Sequence, residues 1–554
     1  MGLTIAHLLD RGWGSDWTGA ATVIAGVVST LWLLLYGLQR VKKHRDEPPI
    51  IASAIPYVGH LLGMALFGGR YIKNIGLRNR STPIFTLPVP FSRIYVVTDP
   101  SLAAAAQRAS KTLSFSPLVP DLTRRILGFS PASTAIIAQH LDPTDSSAPR
   151  GLMADLHDMV YAHLGPGDAL SSLTKLAVRD LAAHVNAYAA AHDRDPETVP
   201  DLLVWLRGFV AQSTASYLYG PENPLAQDPE LEAAFWDFDH GIGGLLVGVW
   251  PAMTARKAYA GRERLVEAFA KYLEAGHHLG PGASDIVRRR VEILTAHGLP
   301  MAEAARSEVS FLFAGIVNTA TTAFWVVVHL FARPALLRRV RAELLAGGVT
   351  ELDFGGGKPT RLLDLESVKA GRASPTLGAV FREALRTGSD NYSTRLVKED
   401  TVLAGRWWVG KGAVVQVAGG VIHADEGVWG EGAGEFDPVR FLKLEEGEGE
   451  SGSGSGKGGE EKQKKVHPAA FRAFGGGKTL CPGRHFATYE IVAFAAMIVL
   501  TFDLEAVDGK GKPGGKIVVP AKEDGVLPVH ILEPKTPVRV KVRVREDGGE
   551  IVVV

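Results

Sequence analysis

The chain has 554 residues, 46% of them hydrophobic, which allows one large domain with extensions or three to four smaller domains. Its 60 basic residues nearly cancel its 59 acidic residues, so a net charge of +1 argues against a nucleic-acid binder or a polyanion partner. A single cysteine excludes an intrachain disulfide and a zinc site built from thiolates alone, and it fits a reducing compartment.

The first predicted element is an apolar segment without charges, residues 17–39. At about 1.5 Å per residue, such a helix spans the roughly 30 Å hydrocarbon layer of a bilayer. Basic residues follow at once in 40–45, and this arrangement places the rest of the chain in the cytosol. A cleaved signal peptide and a buried core helix are the alternatives, but the length of the run and its downstream basic cluster favour an anchor. We therefore predict one N-terminal transmembrane helix, with residues 1–45 as anchor and basic flank.

Prolines then predict a stiff hinge over residues 46–60. Residues 61–554 are predicted as one catalytic domain, mainly α with small β-sheets. It starts with proline-bounded strands in residues 83–100 and continues with helices over most of residues 152–330. A long apolar helix is predicted for residues 302–331, before Pro334 opens the next one.

The C-terminal part mixes short strands with irregular segments. Strand-like pieces follow Arg386. Residues 442–466 are a low-complexity run of Gly, Ser, Glu and Lys, which predicts a solvated surface insertion. The last forty or so residues alternate between apolar and polar, and this pattern predicts a terminal β-hairpin.

The single cysteine lies in a glycine-rich loop, FRAFGGGKTLCPGRHFA, whose spacing is Phe474-x-x-Gly477-x-x-x-Cys481-x-Gly483. Glycines allow the backbone to fold tightly around the sulfur and to pass close to a large group. Peptide N–H groups nearby can donate hydrogen bonds to the sulfur. The loop lacks the spacing of a phosphate-binding loop. Taken alone, it leaves a reactive thiol, a metal ligand and an inert core cysteine open.

This loop resembles the signature of the cytochrome P450 superfamily, in which a cysteine thiolate is the axial ligand of haem iron. Three further segments match in the family's order. They are FLFAGIVNTATTAFW, which resembles the oxygen-binding helix, FREALR with Glu383 and Arg386, and FDPVRF with Arg440. A spacing of three places Glu383 and Arg386 on one helix face. The resemblance implies the cytochrome P450 fold, haem b bound by the thiolate of Cys481, and a structural ion-pair network of Glu383, Arg386 and Arg440.

The resemblance also implies the other site residues. Those expected to bind the haem are Phe474, Gly475, Gly477, Lys478, Cys481 and Gly483, with Arg395 and His157 as candidates for its propionates. Those expected to act on the distal side are Ala314, Gly315, Asn318 and Thr319.

The sequence departs from the family pattern on both sides of the expected haem. On the distal helix the family carries an acid followed by a threonine, which relay protons to dioxygen, whereas this chain has Val317 and Asn318. An amide does not relay a proton as a hydroxyl does. Thr319 lies about 100° further around the helix and is predicted to be a poor substitute without local unwinding. Thr479 stands where the family often carries a basic residue for a propionate, so Arg395 is the better candidate for that role.

Both departures resemble the branch that contains sterol 7α-hydroxylases and prostacyclin synthase. The leading hypothesis is a monooxygenase, anchored in the endoplasmic reticulum membrane with its catalytic domain in the cytosol. It would hydroxylate a lipophilic, steroid-like or terpenoid substrate with O2 and electrons from NADPH through a reductase. The second hypothesis is a haem-thiolate isomerase or dehydratase that acts on a peroxide without a reductase. The third is a haem-binding protein that has lost its activity.

Overall fold

The computed structural model describes residues 14–142, 149–353, 358–443, 466–508 and 513–554. The low-complexity insertion predicted for residues 442–466 lies almost wholly outside the described residues, as do the first thirteen residues of the predicted anchor segment. The helices whose bounds the structure gives are α1 (Gly14–Leu38), α2 (Gly59–Phe67), α3 (Gly69–Arg78), α4 (Pro100–Arg108), α5 (Val119–Leu127), α6 (Pro131–Ile137), α7 (Leu152–Leu164), α8 (Asp168–Ala191), α9 (Leu202–Tyr219), α10 (Pro224–Gln227), α11 (Glu230–His240), α12 (Ile242–Val247), α13 (Pro251–Thr254), α14 (Arg256–Glu274), α15 (Asp285–Ala296), α16 (Met301–Phe331), α17 (Pro334–Gly347), α18 (Leu365–Lys369), α19 (Pro375–Gly388), α20 (Gly419–His423), α21 (Glu426–Trp429) and α22 (Arg484–Thr501).

The strands form small sheets at the edges of this helical body. They are β1 (Ile84–Val89), β2 (Ser92–Val97), β3 (Leu113–Ser114), β4 (Glu197–Val199), β5 (Val349–Leu352), β6 (Thr360–Leu363), β7 (Tyr392–Val397), β8 (Thr401–Leu403), β9 (Trp407–Val409), β10 (Val414–Ala418), β11 (Phe502–Val507), β12 (Pro513–Gly515), β13 (Val540–Val544) and β14 (Ile551–Val553). The largest sheet has the order β1-β2-β10-β7-β3, and β2 pairs with β10 in parallel. The others have the orders β12-β11-β13-β4, β14-β6-β5 and β8-β9. The prediction of a mainly α fold with small β-sheets is confirmed.

The long helix α16 runs through the core. Its second half, from Thr319 to Phe331, is buried on every face, as expected of a helix whose residues are apolar all round. It packs against α9, α14, α19 and α22. The predicted bounds of this helix differ from the observed ones by one residue, and Pro334 opens α17 as predicted. The packing brings the apolar stretch FLFAGIVNTATTAFW alongside the helix that follows the cysteine loop.

The predicted terminal β-hairpin is wrong. Strands β13 and β14 both lie in the last part of the chain, but they belong to different sheets. β13 lies between β11 and β4, whereas β14 pairs in parallel with β6. An alternating pattern shows that one face of a strand is buried, but it does not specify the partner strand.

Three helices of the described residues are long and apolar enough to cross a membrane: α1 over Ala21–Leu38, α16 and α22. α16 and α22 are about two-thirds or more buried within the protein, whereas the Ala21–Leu38 segment is not buried at all. Burial therefore separates two core helices from one apolar N-terminal helix whose surface faces outwards.

Candidate active site

A cavity of about 630 Å³ lies between α16, α22 and the cysteine loop. It is bounded further by the segments around residues 389–394 and 528–531. Most of the residues predicted for the site line this cavity, namely Ala314, Gly315, Asn318, Thr319, Phe474, Gly475, Cys481 and Gly483. Two segments about 160 residues apart in sequence thus meet at one cavity.

Cys481 sits where the loop turns into α22. Its backbone N–H donates to the carbonyl of Phe474 at 2.9 Å, which closes the loop around the sulfur. Burial raises the pKa of the Cys481 thiol, while a backbone hydrogen bond from Gly483 and the charge of Arg484 act in the opposite direction. A partly buried thiol with these neighbours suits a ligand that becomes a thiolate when a cation binds.

Gly475, which precedes the short helical turn of the cysteine loop, allows the backbone of that loop to pack tightly. Gly475 has a φ of 76°, and a Cβ at this position would lie 2.7 Å from the carbonyl oxygen of Thr479. On the facing helix, a Cβ on Gly315 would lie 2.9 Å from a methyl group of Thr214. Both glycines therefore permit close packing between protein segments, in addition to lining the cavity.

Asn318 and Thr319 both line the cavity, although they are neighbours on one helix. The side-chain oxygen of Asn318 accepts a hydrogen bond from the backbone N–H of Ile531 at 3.0 Å, which ties α16 to the 528–531 segment. The hydroxyl of Thr319 donates to Glu490 at 3.5 Å. Thr319 lines the cavity although it lies one position beyond Asn318, because the cavity wraps around this part of α16.

Arg395 does not line the cavity but lies directly behind its wall. Its guanidinium donates to the hydroxyls of Ser393 at 2.8 Å and of Thr479 at 3.1 Å, and to the carbonyl of Gly476 at 3.0 Å. Ser393 and Thr479 do line the cavity. Burial lowers the pKa of Arg395. The arrangement places a buried cation and two hydroxyls at one end of the cavity, where they suit a carboxylate group.

Other predicted site residues are not brought to the cavity. His157 is half exposed, lies within hydrogen-bond distance of Asp158 at 3.3 Å and packs on the ring of Tyr161. Gly477 and Lys478 are exposed on the outside of the loop. Helical spacing alone did not reveal that the face of α7 carrying His157 points to solvent.

The predicted ion-pair network is assembled and buried. Arg386 makes two hydrogen bonds to the carboxylate of Glu383, at 2.6 and 2.7 Å, and both side chains are at most 1% exposed. Arg440 approaches Glu383 at 3.8 Å and donates to the carbonyl of Trp429 at 2.6 Å. Arg386 also donates to the carbonyls of Ala433 at 2.6 Å and of Glu435, at 3.0 Å, in the segment before FDPVRF. The pair thus holds the segment that precedes the cysteine loop.

Sequence reasoning missed three polar residues at the cavity. Tyr217 and His530 line it, and Glu490 lies behind Thr319. Burial lowers the pKa of His530, but the hydrogen bond and charge of Asp239 outweigh this effect and raise that pKa overall. Glu490 carried a signal in the sequence, because it is the one acidic residue in the apolar helix α22.

Comparison with known proteins identifies the family to which the chain belongs. A family model described as Cytochrome P450 matches residues 290–526. The chain is 32% identical over 486 residues to the cytochrome P450 monooxygenase nodJ of Hypoxylon pulicicidum, covering 87% of this chain and 88% of that protein. The chain belongs to the cytochrome P450 family. This P450 is a haem-thiolate monooxygenase, and the family uses electrons supplied by a redox partner.

Two mammalian relatives are similar over most of the chain. Cytochrome P450 7A1 of Sus scrofa is 24% identical over 509 residues, covering 88% of this P450 and 92% of that protein. The human 7-alpha-hydroxycholest-4-en-3-one 12-alpha-hydroxylase is 25% identical over 514 residues, covering 90% of this P450 and 93% of that protein. The predicted resemblance to the branch of sterol hydroxylases is confirmed.

Proposed function

We propose that this P450 inserts one oxygen atom of O2 into a lipophilic, steroid-like or terpenoid substrate, with Cys481 as the axial haem ligand. The observation that carries the proposal is the position of the single thiol, partly buried at the wall of a cavity of about 630 Å³ opposite Asn318 and Thr319. The residues present fit a haem. They offer a sulfur with a backbone donor, and a buried cation with two hydroxyls for a propionate at one end.

Bound there, haem supplies the oxygen activation that a cysteine thiolate promotes. The residues of this chain hold and shield it. Phe474 and the loop backbone would position the sulfur of Cys481, while Arg395, together with Ser393 and Thr479, would hold a propionate. Asn318 fixes the 528–531 segment over the distal side of the cavity through Ile531. These contacts orient the substrate and keep bulk water away from the reacting centre.

The cavity wall supports a lipophilic substrate. Apolar side chains that line it include Phe115, Leu173, Phe311 and Val529, and His530 adds one polar group beside them. A ligand pocket with mostly apolar walls and few polar groups selects a hydrophobic body and orients it by one or two hydrogen bonds. The steroid in the name of one relative, the human 7-alpha-hydroxycholest-4-en-3-one 12-alpha-hydroxylase, agrees with this substrate class.

We also propose that the protein is anchored in the endoplasmic reticulum membrane by residues 1–45, linked by a hinge over residues 46–60 to a catalytic domain of residues 61–554. An NADPH-cytochrome reductase on the cytosolic side would supply the electrons. α1 is apolar and unburied, which supports its role as the anchor. A second apolar surface supports a catalytic domain that lies against the same membrane. We call it the apolar face; it comprises exposed side chains of α2, α12, α13 and the loop at residues 526–529, namely Leu62, Leu66, Phe67, Val247, Val249, Trp250, Met253, Val526 and Leu527.

Contacts make the apolar face continuous. The N–H of Gly69, next to α2, donates to the carbonyl of Val526 at 2.8 Å, and a Cβ added to Gly243 of α12 would lie 3.9 Å from a side-chain methyl of Leu527. The indole of Trp32 in α1 donates to the carbonyl of Ala54 at 3.0 Å, so the end of α1 is attached near α2. Large exposed apolar patches of this kind favour burial in lipid.

We expect removal of residues 1–39 to leave residual binding to phospholipid vesicles, because the apolar face remains. Adding Leu66→Asp and Trp250→Asp to the truncated protein should lower vesicle binding by at least about tenfold, since each apolar side chain contributes about 1.5–3 kcal/mol when buried. Vesicle co-sedimentation measures this. Leu176→Asp, at an exposed leucine of α8 outside the apolar face, is the matched control and should bind as before. Equal loss of binding in the control and the test variant would contradict the membrane orientation.

Incubation of the full-length protein in membranes with a sterol and terpenoid panel tests the proposed reaction. Product should form only with NADPH and a reductase, and it should carry one labelled oxygen atom from labelled O2. Product formed without NADPH would instead support a haem-thiolate isomerase or dehydratase, for which the replacement of the distal acid and threonine by Val317 and Asn318 is the favouring observation.

A further inference from the structure

The part of the cavity wall that the structure describes has one basic side chain. Among the described residues that line the cavity, none is Asp, Glu, Lys or Arg, and His530 is the one histidine. Its place is fixed relative to the distal helix, because the N–H of the next residue, Ile531, donates to the side-chain oxygen of Asn318 at 3.0 Å. His530 therefore brings a polar ring to a defined position in a largely apolar cavity.

A buried carboxylate lies beside His530 on a different element. Asp239 of α11 does not line the cavity, its side chain is 0% exposed, and its Oδ1 lies 3.4 Å from Nε2 of His530. The other ring nitrogen, Nδ1, is 2.9 Å from the carbonyl oxygen of Ile531. Both ring nitrogens thus face an acceptor, and only the imidazolium form of histidine donates from both. The surroundings favour a charged ring.

The other charges of this cluster are paired with one another, so Asp239 is left to His530. Glu533, three residues further along the same segment, pairs with Arg207 of α9 and lies 3.5 Å from the exposed His240 of α11. Burial lowers the pKa of His530, but the hydrogen bond and charge of Asp239, with the charge of Glu533, raise that pKa overall. A buried carboxylate with a single cation beside it holds that cation in its charged form.

We propose that His530 selects a substrate that already carries a carbonyl or hydroxyl oxygen, and that its imidazolium donates a hydrogen bond to this oxygen. The contact of 3.4 Å between Nε2 and Asp239 is an ion pair rather than a short hydrogen bond, so the Nε2–H can be shared with a second acceptor. Because Asp239 offsets the charge of the ring, a neutral oxygen suits the site better than a carboxylate. His530 is then a binding residue, and Asp239 is a positioning residue. This inference rests on the proposed function and narrows its substrate class.

The selection follows from the cost of covering a donor without pairing it. A hydrocarbon in the cavity would remove water from the ring and offer no acceptor in return, whereas a carbonyl or hydroxyl oxygen would replace that water. Since the ring is fixed to α16 through Ile531, the distance of a carbon from this oxygen decides which carbon is oxidised. A reaction that leaves an oxygen on the hydrocarbon skeleton must then precede this one.

The first test needs no substrate. Nuclear magnetic resonance of the haem-loaded, carbon-monoxide-bound protein with isotope-labelled histidine follows each ring through a pH titration, and the signal missing from His530→Gln identifies His530. Its pKa should lie above about 6.5, the value of an unperturbed histidine, and Asp239→Asn should move it below that value. A pKa of His530 below the unperturbed value in the wild type, or one that Asp239→Asn leaves unchanged, would overturn the proposal.

The second test compares three probes that differ only in one oxygen: cholestanol, cholestanone and cholestane. Binding is measured by the shift of the haem Soret band. The wild type should bind the alcohol and the ketone at least about tenfold more tightly than the hydrocarbon, and His530→Leu should lose this preference through weaker binding of the oxygenated probes. Comparing every protein with every probe cancels differences in probe solubility. An equal preference in the wild type and His530→Leu would contradict selection by this ring.

The pH dependence of this preference separates a charged donor from a structural role. In the wild type it should fall as the pH rises through the pKa of His530, because a neutral ring has one N–H for two acceptors of the protein. In Asp239→Asn the fall should come at lower pH. His530→Gln keeps a neutral donor, so it should show an intermediate preference that does not change with pH. A preference that is independent of pH in the wild type would exclude the imidazolium as the donor.

His240→Gln is the matched control. His240 belongs to the same charge cluster, but it is half exposed and does not line the cavity, so this variant should keep the preference and the pH profile of the wild type. Loss of the preference in His240→Gln would overturn the assignment to His530. If Asp239→Asn fails to fold, His530→Gln and His530→Leu carry the comparison. Failure of the wild type to bind any of the three probes would count against the proposed steroid-like substrate, while the titration still decides the state of His530.

Discussion

Cys481→Ala is expected to abolish the red-shifted Soret band that reduced haem-thiolate proteins show with carbon monoxide. Cys481 is the only cysteine of the chain, so no other thiolate can replace it. The fold should survive, because the hydrogen bond that closes the loop runs from the backbone N–H of residue 481 to Phe474 and does not need the sulfur. Absorption spectroscopy of the reduced protein with carbon monoxide measures the first effect, and circular dichroism measures the second.

Lys478→Ala is the matched control, because Lys478 lies in the same loop but is exposed and does not line the cavity. It should retain the band at wild-type intensity. A Cys481→Ala protein that keeps the red-shifted band would exclude Cys481 as the axial ligand. Loss of the band in Lys478→Ala would show that this lysine reaches the haem, contrary to its position outside the cavity.

Arg386→Leu is expected to have the largest effect on folding. It leaves the carboxylate of Glu383 buried at 0% exposure without the two hydrogen bonds from Arg386, and it removes the donor to the carbonyls of Ala433 and Glu435. Removing one partner of a buried ion pair costs about 3–5 kcal/mol, which is a large share of the roughly 5–15 kcal/mol that stabilises a typical domain. Most of the protein should therefore fail to incorporate haem. Denaturant unfolding followed by circular dichroism measures the loss for the folded fraction.

Two further variants make this result specific. Arg386→Lys keeps the charge but loses the planar fork of donors, so its free energy of unfolding should lie between those of wild type and Arg386→Leu. Lys271→Ala removes an exposed ion pair with Glu267 at 2.8 Å and should leave the free energy of unfolding nearly unchanged. A loss of less than about 1 kcal/mol in Arg386→Leu would contradict a structural role for the buried pair.

Several parts of the site could be predicted because they depend on local spacing. The three-residue spacing of Glu383 and Arg386 makes them neighbours on any α-helix, and the structure joins them by two hydrogen bonds. The glycines around Cys481 likewise indicate a tight loop, whichever segment faces it. The uncharged run that became α1 is recognisable by length and composition, because crossing a bilayer needs both.

Predictions that depended on which face of an element is buried were less successful. His157 lies on a helical segment as expected, but its side of α7 faces solvent. Thr319, predicted to be a poor substitute for the family's threonine because it is turned about 100° from Asn318, lines the cavity beside Asn318. The terminal strands were recognised by their alternation, but their partners are β11, β4 and β6, far away in sequence. Periodicity restricts side chains to faces, and only packing against distant segments assigns each face to core or solvent.

The amino-acid sequence was sufficient to identify a haem-thiolate protein, because a cysteine loop, a Glu-x-x-Arg helix and an apolar oxygen-binding helix are each short contiguous patterns. Folding was needed to bring Glu490 behind Thr319, since these residues are 171 positions apart and neither carries a pattern that names the other. The same holds for Arg395 behind Thr479 and for Tyr217 beside Glu490. A buried carboxyl acquires its pKa from everything that excludes water around it, and that surrounding exists only when α9, α16 and α22 have packed together.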